Sequence, residues 1–352
     1  MRSKLFVPLI LVLMASSATC LSQETVVIRA DTAAGIAYNN PAWSPDGKTI
    51  AYVAMPYVEN CNEPTYSRKG KSIHLATPAG GIWKTKLLAK DADWPVWSPD
   101  RKQIAFRQNG LAVMALATGK TKRLTKDSGL DEDGDVNELH VPISWSPNGR
   151  YMLYKLVWQE GRALTVRDLK TGKDRRIAED APDAIWMADG KLLAAQCGSE
   201  EGSQQSWLRV VNPVTGSTRT VLKDRSVRSP FIPKDASYAW VYVAENAPKG
   251  EGIYRVDLKS GALTKQIAVH AKELYWSPTG KQFAFIADWS PRAGVETLSC
   301  VYVGSTVNWR FKIASKNALR AEDDMHSHLA WSPDGKKIAF VTAEGSISVL
   351  KP

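Results

Sequence analysis

Cysteine is scarce in this sequence, which contains four in 352 residues and no C-x-x-C pair. Cys61, Cys197 and Cys300 are widely separated along the chain. This spacing excludes a disulfide framework and a cysteine zinc knuckle, and it predicts buried or loop thiols.

Long apolar runs and several catalytic motifs are also missing. After the first 20 residues, no segment approaches the roughly 20 apolar residues that a transmembrane helix needs. The G-x-S-x-G elbow, the Walker A loop and the dinucleotide-binding glycine loop do not occur. No long stretch has the 3.6-residue periodicity of an amphipathic helix. The sequence therefore offers no hydrolase elbow and no nucleotide-binding loop.

Residues 1–20 have the pattern of an export signal. Two basic residues precede the apolar run Leu5–Ala15, and small residues at 16–18 follow it. The pattern predicts a periplasmic or secreted product whose remaining residues, 21–352, form one domain. The residues before Cys20 loosely resemble a lipobox, so a lipid anchor at Cys20 is the alternative to a soluble product.

A five-residue turn motif, W-S-P-D-G or a close variant, returns along the chain at intervals of 41 to 55 residues. The aromatic residue that opens it is Trp43, Trp97, Trp145, Trp186, Trp276 or Trp331, with Phe231 in the fifth unit. Each turn precedes an apolar run such as KTIAYVA or KQIAFRQ, and two further short runs follow around a glycine turn. Short strands at this period are typical of β-propeller blades. We interpret the aromatic residues as packing between blades and the turns as scaffold.

The repeat count predicts an all-β, seven-bladed propeller of four-stranded antiparallel blades, with a six-bladed ring as the alternative. The last unit stops after its third run, so its outer strand is missing from the C-terminal sequence. The lone apolar run Thr25–Ala30 precedes the first turn. Pairing this run with the last blade would close the ring and remove two open edges.

The motif W-S-P-D-G-K-x-I-A-F, repeated along an exported chain, resembles the TolB-type β-propeller repeat, which also occurs in oligogalacturonate lyases. The resemblance covers nearly everything after residue 24. The resemblance is specific for the propeller fold but not for a function, because propellers host many activities.

In such a meander the W-S-P-D-G turns and the glycine turns lie on one face of the ring. The opposite face receives the longer connections, around residues 55–71, 126–140, 198–206 and 288–297. Long connections on a rigid scaffold are the usual place for binding, so we expect function on this long-loop face.

Four histidines fall on the same long-loop face: His140, His270, His326 and His328. Each precedes the innermost strand of a blade, and neutral imidazoles that converged there would suit a transition metal. His326-Ser327-His328 before the last turn is similar to the oligogalacturonate lyase pattern, where it helps hold a divalent cation. The resemblance implies that His270 is the third ligand, although Asp323 replaces the glutamine of that pattern. The alternative is a set of solvent-exposed loop histidines.

Asp131, Asp133 and Asp135, followed by Glu138, form an acidic loop whose alternating carboxylates could wrap Ca²⁺. The EF-hand template fails because Val136 and Pro142 occupy its glycine and bidentate glutamate positions. A hydrated acidic loop is therefore the preferred interpretation.

The formal charge of +10 favours acidic partners in general. The sequence contains no nucleic-acid recognition motif, so nucleic acid is not a predicted partner. The first functional hypothesis is a monomeric, non-enzymatic interaction module that has no cofactor. It would bind a protein or envelope component through the long-loop face. The alternative is a divalent-metal-dependent polysaccharide lyase or hydrolase that acts on an acidic glycan. Convergence of the histidines would discriminate between these hypotheses.

Overall fold

The computed structural model describes most of the chain after residue 23. The described residues are 24–31, 33–56, 70–128, 138–158, 161–181, 183–200, 203–223, 225–234, 236–244, 248–290, 298–319 and 327–352, with the backbone alone at 196–200 and 203–205. The predicted leader and Cys20 lie outside them. The described residues contain strands and turns but no helix, and hence no helix able to cross a membrane.

In the described part of the chain, twenty-eight strands form seven four-stranded antiparallel sheets, which confirms the seven-bladed prediction. Blade 1 contains β2 Ile36–Trp43, β3 Ile50–Pro56, β4 Ser72–Ala79 and β5 Ile82–Lys90. Blade 2 contains β6 Asp93–Trp97, β7 Gln103–Arg107, β8 Leu111–Ala115 and β9 Thr121–Arg123. Blade 3 contains β10 Leu139–Trp145, β11 Tyr151–Trp158, β12 Gly161–Asp168 and β13 Asp174–Glu179. Blade 4 contains β14 Asp183–Trp186, β15 Leu192–Glu200, β16 Ser203–Val211 and β17 Thr218–Lys223. Blade 5 contains β18 Val227–Phe231, β19 Tyr238–Val243, β20 Gly252–Asp257 and β21 Leu263–Ile267. Blade 6 contains β22 Glu273–Trp276, β23 Gln282–Trp289, β24 Leu298–Ser305 and β25 Arg310–Ser315.

Blade 7 is built from both ends of the propeller. Its strands β26 Leu329–Trp331, β27 Ile338–Val341 and β28 Ile347–Leu350 come from the end of the chain, and its outer strand is β1 Glu24–Ile28. Thr25 pairs with Val349 and Ile28 with Ile347. The predicted clasp is confirmed: the N-terminal strand covers the edge that the last blade would otherwise expose.

Among the described residues, the hydrophobic core is a ring of seven main clusters, one at each interface between neighbouring blades, and a small eighth cluster contains Trp94, Leu139 and Val141. The second strand of each blade contributes to the clusters on both of its sides, which explains its continuous apolar run. In blade 1, Ile50 and Tyr52 face blade 7 while Ala51 and Val53 face blade 2. A strand that is buried on both faces needs no alternation of apolar and polar residues.

The repeated turn is held by a fixed set of hydrogen bonds. Ser44 Oγ donates to Asp46 Oδ1 at 2.6 Å and accepts the amide of Thr49 at 3.0 Å. The same pair of contacts recurs at Ser98, Ser146 and Ser332. Gly47 adopts a φ of 67°, in the left-handed region that glycine enters without steric cost. The serine, the aspartate or asparagine, and the glycine of the motif therefore each have a structural role.

Besides packing between blades, most of the motif tryptophans form a hydrogen bond to the preceding blade, which was not predicted from the sequence. In five of them the indole Nε1 donates to an inner-strand carbonyl of the preceding blade, at 2.8 to 3.2 Å. Trp331, for example, donates to the carbonyl of Tyr275 at 3.2 Å. Trp186 Nε1 has no hydrogen-bond partner among the described residues, and blade 5 has Phe231 instead. The predicted packing of these aromatic residues between blades is confirmed, and the indole hydrogen bonds make the contact directional.

Candidate functional site

The innermost strands surround a central channel with a volume of about 670 Å³. One end is lined by turn prolines such as Pro45 and Pro333, and the other by Asn40, Trp94 and Ser327. The channel therefore runs from the W-S-P-D-G face to the long-loop face.

Proline occurs inside several of the inner strands. Pro41, Pro95 and Pro142 lie next to register shifts in β2, β6 and β10, and all three line the channel. Proline fits here because an inner strand is an edge strand, whose outward amide would have no partner. The residues before two of these prolines, Asn40 and Trp94, adopt φ of 51° and 52°. A left-handed tryptophan is uncommon and places Trp94 against the channel.

His140 is buried in a polar cluster at the junction of blades 2 and 3. Its Nδ1 lies 3.3 Å from Asp127 Oδ1, its amide donates to the same oxygen at 3.1 Å, and its Nε2 lies 3.5 Å from Glu138. Arg107 Nε donates to Asp127 Oδ2 at 2.8 Å. Burial acts to raise the pKa of the Asp127 carboxyl, but the bonds from His140 and the Arg107 guanidinium outweigh burial and hold the pKa below its usual value.

The same cluster continues into blade 1. Asp93 lies 3.6 Å from Arg107 and 3.7 Å from Lys71, and all three side chains are at least 95% buried. Trp94 lies beneath both cations, each 5.7 Å from its ring centroid. Two cations and two carboxylates therefore balance inside the structure, consistent with the rule that buried charges occur in pairs.

This ionic cluster was not predicted from the sequence. The signal was available in part: Arg107 ends the apolar run QIAFR, and Lys155 interrupts the apolar run of β11 and reaches the channel wall. A charged residue within an otherwise apolar strand indicates either a functional site or a buried pair.

His328 lies at the entrance to the innermost strand of blade 7 and is buried. Its Nδ1 is 2.6 Å from Glu273 Oε1, at the start of blade 6, while the Tyr275 hydroxyl donates to the other oxygen of that carboxylate. Burial and the Glu273 carboxylate raise the pKa of Tyr275 well above its usual value. Ser327 continues the contact to blade 1, because its amide donates to Asn40 Oδ1 at 2.8 Å.

His270 is exposed, in contrast to His140 and His328. Its Nδ1 lies 2.9 Å from Glu251 Oε2, and the Tyr242 hydroxyl donates to the other oxygen of Glu251. Burial acts to raise the pKa of Glu251, but the bonds from Tyr242 and His270 hold it below its usual value. His140, His270 and His328 thus each lie beside a different carboxylate: Asp127, Glu251 and Glu273, respectively.

The predicted metal ligands are described only in part. His326, Asp131, Asp133 and Asp135 lie outside the described residues. Among the residues that are described, no group of three or more histidine, cysteine, aspartate or glutamate side chains is placed to hold a metal ion.

Cys300 is buried, as expected of an inert thiol.

No family model matches the chain. Over 217 residues the chain is 26% identical to dipeptidyl-peptidase 5 of Porphyromonas gingivalis, covering 57% of this chain and 29% of that protein. Over 169 residues it is 27% identical to the uncharacterized peptidase YuxL of Bacillus subtilis, covering 46% of this chain and 24% of that one. The matched region therefore spans about a quarter of the length of these curated relatives.

Solved structures cover nearly the whole chain. An oligogalacturonate lyase from Vibrio parahaemolyticus matches with a TM-score of 0.69 and 14% identity, over 95% of this chain and 94% of that one. An oligogalacturonate lyase in complex with manganese matches with a TM-score of 0.66 and 13% identity, over 94% and 98%. TolB from Acinetobacter baumannii matches with a TM-score of 0.44 and 16% identity, over 92% and 65%. The protein is a seven-bladed β-propeller, and the fold that the repeat predicted is confirmed. At these identities the likeness concerns the fold alone.

Proposed function

We propose that the protein is a binding module, exported to the periplasm or beyond, that engages a protein or envelope component through its long-loop face. The observation that carries the proposal is the difference between the two faces in connection length. Four connections at the long-loop end, β3–β4, β9–β10, β23–β24 and β25–β26, contain 15, 15, 8 and 13 residues, whereas the turns of the W-S-P-D-G face contain two to six. The prediction of a long connection around 198–206 is wrong, because β15 and β16 extend into a hairpin joined by two residues. Long connections on a rigid ring are where propellers have material for recognition.

The charge of the long-loop face indicates the chemistry of its partner. Counted from the sequence, the connections at this end contain 21 Asp and Glu against 11 Lys and Arg, a net charge of −10. A partner that fits this face therefore carries basic groups, because complementary potentials steer association. The net charge of the whole chain pointed to acidic partners, but that charge is located elsewhere on the molecule.

The test is capture of an envelope partner with matched surface variants. Asp91→Lys with Glu344→Lys reverses two exposed acidic residues of the long-loop face, and Lys191→Glu with Lys281→Glu changes the W-S-P-D-G face. We expect the first pair to abolish capture in near-physiological salt and the second to leave it intact. The reverse pattern would contradict the proposal.

A metal-dependent lyase remains the second candidate, favoured by the full-length likeness in fold to oligogalacturonate lyases, one of them in complex with manganese. His270 and His328, on blades 6 and 7, both have Nδ1 next to a glutamate, an arrangement that often orients the other ring nitrogen toward a metal. One of these imidazoles is exposed and the other is buried, and the acidic face disfavours an acidic glycan.

Purified protein tests this candidate directly. Stoichiometric manganese or another divalent ion by elemental analysis, lost in His326→Ala with His328→Ala, would support it. Formation of unsaturated uronides from polygalacturonate, abolished by the same variant, would establish the lyase. A metal-free protein without this activity after manganese addition would exclude it.

A further inference from the structure

The positive charge of the molecule is concentrated on the W-S-P-D-G face. The turns that join the first to the second strand and the third to the fourth strand of the blades contain 13 Lys and Arg against 5 Asp, a net charge of +8. The glycine turns among them contribute Lys120, Lys170, Lys173 and Lys259, all exposed, and no acidic residue. This face therefore carries an excess of positive charge.

The outer strands extend the same charge around the rim. The seven outer strands contain 12 Lys and Arg against 3 Asp and Glu, a net charge of +9 in 40 residues. Most of the basic residues lie in the first half of their strand, next to the glycine turn from which the strand starts. The members of this rim set are Lys84, Lys86, Lys122, Arg123, Arg175, Arg176, Arg219, Lys265, Arg310 and Lys312.

The side chains of three turn aspartates are hydrogen-bonded within their own turns. Asp46, Asp100 and Asp334 each accept a serine hydroxyl at 2.6 to 2.7 Å and a lysine amide at 3.0 to 3.2 Å. The serine hydrogen bond is the main reason that the pKa of each of these carboxyls is below its usual value. Their inner oxygens are thus occupied by the turn.

Most of the rim cations have no carboxylate partner among the described residues. Within the described part of the chain, no carboxylate lies within 4.0 Å of Lys84, Lys86, Lys122, Arg310 or Lys312, whereas Arg176 pairs with Glu179. Lysine on edge strands protects against edge-to-edge pairing. That role does not account for the four lysines of the glycine turns, which lie outside the strands.

We propose that the W-S-P-D-G face and the adjoining rim form a binding surface for a linear acidic polysaccharide. A flat anionic membrane that lies on the W-S-P-D-G face would reach the lysines of the turns but not the rim cations on the outer strands, whereas a flexible chain can pass from the face to the rim and follow successive blades. Binding of single-stranded nucleic acid generally uses a row of aromatic stacking platforms, whereas the exposed aromatic side chain among the described residues of this surface is Phe311, on one blade. This surface is independent of the function proposed for the long-loop face.

The test compares two triple variants with the same change in net charge. Lys120→Glu, Lys170→Glu and Lys259→Glu alter three glycine turns, and the exposed Lys126, Lys249 and Lys316 of the long-loop face, each changed to Glu, provide the control. The probe is polygalacturonate, with neutral dextran, anionic phospholipid vesicles and single-stranded DNA in parallel arms, at several salt concentrations.

We expect polygalacturonate to bind and dextran not to bind. The turn variant should lose at least about tenfold in affinity and show a shallower dependence on salt, because fewer counterions are released. The control variant should change by less than about threefold. Equal losses in both variants, no binding at low salt, or tighter binding of vesicles or DNA than of polygalacturonate would overturn the proposal. A circular dichroism melt that matches the wild type separates loss of binding from loss of fold.

Discussion

Replacing Asp127 by Asn tests whether the buried ionic cluster stabilises the fold. The substitution preserves size but removes one of two carboxylates that balance Arg107 and Lys71, leaving two buried cations to share Asp93. Breaking a buried pair by removing one partner costs about 3–5 kcal/mol, because the remaining charge is uncompensated. We expect a loss of that size in the free energy of unfolding, measured by urea titration at neutral pH.

A surface pair provides the matched control. Arg176 and Glu179 lie 3.4 Å apart, with side chains 47% and 66% exposed. Exposed pairs contribute about 0–1 kcal/mol, so Glu179→Gln should leave the unfolding midpoint nearly unchanged. An Asp127→Asn variant that loses no more than this control would refute the assignment of a stabilising buried cluster.

The pH dependence gives a second check on Asp127. Because its pKa is lower in the folded protein than in the unfolded chain, the ionised carboxylate stabilises the fold above the unfolded value of about 3.9. That contribution is lost as the pH falls through the folded pKa. The difference between wild type and Asp127→Asn should therefore narrow in acid, and a difference that stays constant down to unfolding would contradict the reasoning.

Three further predictions concern the scaffold. Trp331→Phe should cost about 1 kcal/mol more than Trp186→Phe, because only the first removes an indole hydrogen bond to the preceding blade; equal unfolding midpoints would contradict this. Gly110→Ala should cost about 2–4 kcal/mol, since its Cβ would lie 2.3 Å from the Thr125 carbonyl oxygen, whereas Gly149→Ala meets open space and should cost about 1 kcal/mol; thermal melts of the two variants compare them. Deleting 24–28 should expose the buried strand β28, lower the melting temperature and increase aggregation measured by light scattering, and an unaffected melt would disprove the clasp.

The sequence was sufficient for the ring because the fold repeats a local rule. Five of the seven turns combine a serine with a proline, and five contain a glycine, at positions that tolerate only a narrow backbone conformation; an apolar run follows each turn. The missing outer strand of the last unit and the lone run near residue 25 then implied the clasp. These features depend on residues close together in the sequence, which is why they were predictable.

The candidate site was predictable only in outline. The sequence placed His140, His270 and His328 near the ends of inner strands, but it did not show that each has a separate carboxylate partner, contributed by another connection or blade. The cluster of Lys71, Asp93 and Arg107 was missed for the same reason: its members come from two blades.

The sequence by itself determined the net charge and predicted the turns, the closing strand and a ring of seven blades, with six blades as the alternative that the structure removed. Only the tertiary structure decided where the basic turns lie, because the alternation of strand direction brings them to one face of the ring. It also decided which charges are buried, since blade packing brings Asp127 against Arg107 and His328 against Glu273. Contacts between blades depend on the rotation of one sheet against the next, and no local pattern in the sequence contains that information.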